Sequence, residues 1–124
     1  MLLNNLYTYE QLEGDSVSYL KFRIFIQPEH EIFKGHFPGN PINPGVCQME
    51  MVKEIFGDYL GERLFFRKVS TMKFINMWVP NDAEAVYMDL SAVEEAEGYK
   101  INTSIYSEKE VYFKLKGSIH VGEQ

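Results

Sequence analysis

Sulfur crosslinking is the first thing this sequence cannot supply. Its 124 residues include one cysteine, Cys47, so neither an internal disulfide framework nor a cysteine-built zinc cluster can form. That usage suits a reducing compartment. Basic charge is scarce as well: 12 Lys and Arg stand against 18 Asp and Glu, a formal net charge of -6. No basic field exists to displace counterions from nucleic-acid phosphates. Long apolar runs are missing too, and none approaches the roughly 18 residues that span a bilayer. The opening Met1-Leu2-Leu3-Asn4-Asn5-Leu6 lacks the basic and long apolar regions of a secretory signal. These absences predict a soluble, cytoplasmic protein, in which the sequon at Asn102-Thr103-Ser104 carries no meaning.

What is present fits one globular unit. The hydrophobic fraction is 45% and the charged fraction 24%, an ordinary globular balance that excludes disorder. A chain of this length buries roughly two-thirds of its unfolded surface, enough for a core without metals or disulfides. Residues 1–124 are expected to form a single domain.

The dominant period is two. In 18–26, Leu20, Phe22, Ile24 and Ile26 alternate with Tyr19, Lys21, Arg23 and Phe25. The same alternation sets Val86, Met88 and Leu90 on one face. It recurs at Tyr99, Ile101, Thr103 and Ile105, and again at Val111, Phe113, Leu115 and Ile119. Such runs predict strands with one buried face. The short polar stretches 94–98 and 107–110 between them predict hairpin loops. One segment breaks the period. After Pro44-Gly45, the apolar residues Val46, Met49, Val52 and Phe56 recur at helical steps. They predict one helix of about three turns, ending near Gly57 or Gly61 as a left-handed cap. The expected fold class is α+β: a long antiparallel sheet wrapping its apolar face around one central helix.

The chemistry concentrates before that helix. Between Gly35 and Gly45 lie three of the five prolines and three of the nine glycines, which predicts a loop held in one shape. The loop contains His36 and Phe37. Glu50 follows on or beside the apolar side of the helix, where a carboxylate either snorkels to solvent or sits buried with a raised pKa. An imidazole and a carboxyl near a helix N-terminus make an acid–base pair. The Gly45 N–H lies at the positive end of the helix dipole and suits a carbonyl oxygen gaining charge.

Gly35-His36-Phe37-Pro38-Gly39-Asn40-Pro41-Ile42, then Pro44-Gly45-Val46, then Gln48-Met49-Glu50, resembles the signature of the 3-hydroxyacyl-acyl carrier protein dehydratases of the hot-dog fold, the FabZ/FabA type. A weaker echo follows in Lys73-Phe74 and Val79-Pro80-Asn81-Asp82, and the resemblance spans about residues 15–121. It implies that His36 and Glu50 are catalytic and that the Gly45 amide binds the thioester carbonyl. A glutamate at position 50 is similar to the FabZ branch. The resemblance also implies a homodimer whose His36 and Glu50 meet from opposite subunits, often assembled into hexamers. The substrate would be a 3-hydroxyacyl thioester on acyl carrier protein or coenzyme A. No cofactor or metal is needed.

That reaction is a hydro-lyase elimination to a trans-2-enoyl thioester. A neutral His36 would take the C2 proton, and a protonated Glu50 would assist the leaving hydroxyl. Phe33, Phe37, Met49, Phe74 and Trp78 are expected to wall the acyl tunnel, a role that competes with plain core packing. Lys34, Lys53, Arg63, Arg67, Lys68 and Lys73 would supply the basic patch an acidic carrier needs. Met51, Val52, Lys53 and Glu54 follow the acid where the family shows small residues and a glutamine, and Asn76, Met77 and Trp78 replace the usual basic and proline residues at the tunnel lid. These changes point at chain length and pathway, whether fatty-acid synthesis or a polyketide- or pigment-type product. Two rivals share the scaffold: a hot-dog acyl thioesterase and a non-catalytic acyl-binding subunit.

Overall fold

Alternation in the four apolar runs becomes burial in the structure. The computed structural model describes residues 2–35, 42–81 and 84–122, without the side chains of residues 34 and 35. Strands β1 (Tyr7–Ser16), β2 (Tyr19–Ile26), β3 (Leu64–Phe74), β4 (Val86–Glu95), β5 (Gly98–Ser107) and β6 (Val111–Val121) form one sheet in the order β1-β2-β4-β5-β6-β3. Every neighbouring pair is antiparallel. Leu20, Phe22, Met88, Leu90, Ile105, Phe113 and Leu115 point inward and are fully or almost fully buried.

The long helix, α2 (Gly45–Leu60), lies against that inner face. It runs 16 residues, longer than the three turns the spacing suggested. It ends at Gly61, whose φ of 69° is the left-handed cap. The Glu62 amide closes back on the Gly57 carbonyl at 3.0 Å, so the last turn leaves few free acceptors.

The one central helix is as expected, and a short helix, α1 (Glu31–Gly35), precedes the proline-rich loop. The buried stripe of α2 is rotated from the one expected. Met51, Val52, Ile55 and Phe56 carry it, with Val46 76% exposed and Met49 only partly buried. Gln48 and Glu54 are buried on this side, and these polar residues hid the true stripe from a reading of apolar spacing.

The N-terminal end of the chain is fastened to the helix by polar groups. Glu54 accepts from the Leu2 amide at 3.0 Å, the Leu3 amide at 2.9 Å and the Tyr7 hydroxyl at 3.0 Å. One turn on, the Tyr9 hydroxyl donates to Asp58. Burial and the neighbouring Glu54 carboxylate push the Tyr7 hydroxyl pKa well above its ordinary value. Tyr9 moves the same way through burial and Asp58.

Candidate active site

The site is built around the first turns of α2. Pro44 serves as N-cap in an extended conformation and offers no side-chain hydrogen bond. Its carbonyl takes the Cys47 and Gln48 amides at 3.0 and 3.2 Å. The amides of Gly45 and Val46 come before any possible intrahelical acceptor and lie at the positive end of the dipole.

One aromatic ring lies against Gly45 at this end. A Cβ at Gly45 would come within 2.4 Å of the Phe74 ring, so glycine is what lets the ring close on the helix. Phe74 stacks on Phe113 at 5.3 Å yet stays 54% exposed. Trp78 is buried and stacks on Tyr112 at 5.7 Å. The Trp78 carbonyl accepts from the Asn43 amide at 2.7 Å. The segment after β3 and the segment before α2 are thereby locked together.

Glu50 sits one and a half turns into α2. Its side chain is 38% exposed and pairs with Lys53 at 2.9 Å. Of the two states the sequence left open for this carboxylate, the single chain adopts the snorkelled, ion-paired one. Glu50 rims a groove of about 490 Å³ along the second half of the helix, with Lys53, Glu54, Asp58, Arg63 and Phe65. Next to it in sequence, Met51 is wholly buried core.

His36 and Phe37 lie outside the described residues, as does the rest of 36–41. Phe33 and Trp78 belong to the packed core, while Met49 is partly buried. Of the four expected tunnel residues that are described, only Phe74 stands at an exposed surface beside Gly45. Cys47 is buried, and burial pushes its thiol pKa up, which suits a core filler and not a nucleophile. Among the described residues no cluster of three or more His, Cys, Asp or Glu side chains could hold a metal. No described helix is long and apolar enough to cross a membrane.

Sequence reading missed Asn43 and Gln48. Asn43 is 1% exposed and Gln48 3%. The Gln48 Nε2 donates to the Asn43 carbonyl at 3.2 Å. Both Asn43 side-chain polar atoms and the Gln48 Oε1 have no partner among the described residues. The available signal was an asparagine between Ile42 and Pro44, next to the helix start.

The model of the ApeI-like family, described as ApeI dehydratase, matches residues 10–115. A 3-hydroxyacyl-[acyl-carrier-protein] dehydratase FabZ from Caulobacter vibrioides is 33% identical over 101 residues, 74% of this chain and 54% of that protein. One from Clostridium acetobutylicum is 32% identical over 75 residues, 55% of this chain and 53% of that protein. The chain thus spans about half the length of these curated relatives. Among solved structures, the dehydratase heterocomplex ApeI:P from Xenorhabdus doucetiae superposes with a TM-score of 0.73 at 18% identity, covering 90% of this chain and 96% of that one. A hypothetical thioesterase protein with coenzyme A from Streptococcus pneumoniae gives 0.67 at 12% identity, covering 94% and 88%. The two superpositions establish the hot-dog architecture alone. With the family match over most of its length, the chain belongs to the ApeI-like dehydratase family.

Proposed function

We propose that this protein removes water from a 3-hydroxyacyl thioester carried on acyl carrier protein, working as a homodimer in the cytoplasm. The observation that carries the reading is the start of α2, which has no side-chain cap. A donor-only helix end at Gly45 follows directly on the His36 loop, with Glu50 one and a half turns further along the same helix.

His36 takes the C2 proton through its neutral imidazole. Charge gathers on the thioester oxygen, and the Gly45 amide stabilises it. The C3–O bond breaks as the hydroxyl receives a proton from Glu50 and leaves as water, and C2 and C3 become the double bond. Solvent then returns the proton from imidazolium to carboxylate.

Glu50 must be protonated for this role, and desolvation is the means. A second subunit laid over the start of α2 would displace the solvent around Glu50 and supply His36 from the opposite side. The exposed apolar residues Val46, Met72, Phe74, Ile75 and Met77 support a covering surface there. So does β3, an 11-residue strand that among the described residues pairs only with β6 and so offers an edge to another chain. Arg67, Lys68 and Lys73 are exposed along β3 and suit an acidic carrier.

The Glu50–Lys53 ion pair supports a second reading. An ionised Glu50 would activate water and hydrolyse the thioester. The experiment is to offer 3-hydroxyacyl thioesters of several chain lengths on carrier protein and follow the products by mass. Enoyl thioester supports dehydration, and free carrier thiol with hydroxy acid supports hydrolysis. No product at any length leaves an acyl-binding subunit.

A further inference from the structure

Hydrogen-bond accounting singles out one place in the molecule. Among the described residues, four buried side-chain polar atoms lack a partner, and three of them belong to Asn43 and Gln48. A buried carboxamide without partners destabilises the fold, and native proteins rarely keep one without a use for it. The two residues flank Gly45 in sequence and are joined by the Gln48 bond to the Asn43 carbonyl. Trp78 holds the Asn43 backbone from the other side.

We infer that Asn43, supported by Gln48, is a substrate-contacting residue that binds the C3 hydroxyl of the acyl group. The inference rests on the proposed substrate class. The accounting of donors and acceptors assigns the partners. A thioester carbonyl only accepts, and the Gly45 amide, which only donates, matches it. A hydroxyl both donates and accepts. Asn43 offers a free donor in Nδ2 and a free acceptor in Oδ1, with the Gln48 Oε1 as a second acceptor. A carbonyl placed there would leave two acceptors unpaired, and an alkyl segment would leave all three atoms unpaired. The helix end thus reads the thioester, and the carboxamide pair reads the group that is to leave. An apolar residue at position 43 would fill the same space and lose that reading.

The test measures binding, so that it stands apart from turnover. The probes are pantetheine amides, with nitrogen in place of the thioester sulfur, bearing 3-hydroxybutanoyl, 3-hydroxyhexanoyl or 3-hydroxydecanoyl groups, and their 3-deoxy counterparts. The native protein is expected to prefer the hydroxy member of at least one pair by about ten-fold, the effect of one good hydrogen bond. Asn43→Leu is expected to erase that preference, keep the affinity for the deoxy ligand and raise the melting temperature. Asn43→Ser, which keeps a hydroxyl, serves if the leucine variant does not fold, and is expected to retain part of the preference.

An equal affinity of native protein for hydroxy and deoxy ligands at every length overturns the inference. So does a preference that Asn43→Leu leaves intact, because the carboxamide would then be holding a water or contacting the pantetheine arm. Hydroxyl preference without enoyl formation would retain the inference and remove dehydration. Enoyl formation with no effect of Asn43→Leu would do the reverse.

Discussion

The two halves of α2 treat polar groups in opposite ways. In the second half, Glu54 is buried against three donors, Asp58 takes the Tyr9 hydroxyl, and Gly61 closes the last turn. In the first half, Pro44 offers no side-chain cap, two carboxamides lie buried with unpaired atoms, and Glu50 reaches half into solvent toward Lys53. Two glutamates one turn apart therefore do different things. Glu54 is tied to the N-terminal segment and secures the fold; Glu50 is left available. Where every donor and acceptor is matched, the helix contributes stability. Where matching is incomplete, it has capacity for a ligand.

The sharpest way to break this contrast is to exchange the fates of the two acids. His36→Ala and Glu50→Gln are each expected to lower enoyl formation by roughly 10²–10⁴-fold, the usual contribution of a general acid or base, with the melting temperature near native. Thermal melts beside the mass assay check both halves of that statement. Glu54→Ala is expected to act through the fold. It strands three donors and should cost about 3 kcal/mol of stability by denaturant titration. Equal effects of the two substitutions on stability would erase the distinction.

Gly45→Ala probes the helix start more finely. The new methyl group meets the Phe74 ring, and the ring is exposed enough to swing outward. Turnover is expected to fall by about ten-fold as the amide is crowded, with about 1 kcal/mol or less of stability lost. Phe74→Ala in the same chain should restore part of the turnover.

The smallest effect lies at high pH. Tyr7 and Tyr9 have raised pKa values in the folded chain relative to the ordinary 10.0. A group whose folded pKa is raised contributes stability that is complete below its unfolded value and is lost as pH climbs above it. Stability is therefore expected to decline above pH ~10, and Tyr7→Phe should flatten that decline in a denaturation series.

The sheet was legible in the sequence because four of its strands are inner strands with one wet face, so their side chains alternate. Strands β1 and β3 sit at the edges and are mostly exposed, and no periodic signal marks them. The meander and both of its turns appear where the polar stretches placed them. The placement of Gly45 and Glu50 on α2 was legible because helix position follows from spacing. The state of Glu50 was not, since Lys53 competes with burial and the choice depends on what covers the helix. Asn43 was invisible for another reason. An asparagine beside a proline looks like turn chemistry, and only the folded structure shows that its amide is buried without a hydrogen-bond partner among the described residues.

The account depends most on a site completed by two subunits, and mixing inactive chains tests it directly. His36→Ala and Glu50→Gln proteins are refolded together and assayed for 2-enoyl thioester. Random pairing gives half heterodimers, each with one intact site, so about a quarter of native activity should return. A mixture as inactive as either variant alone would contradict the shared site.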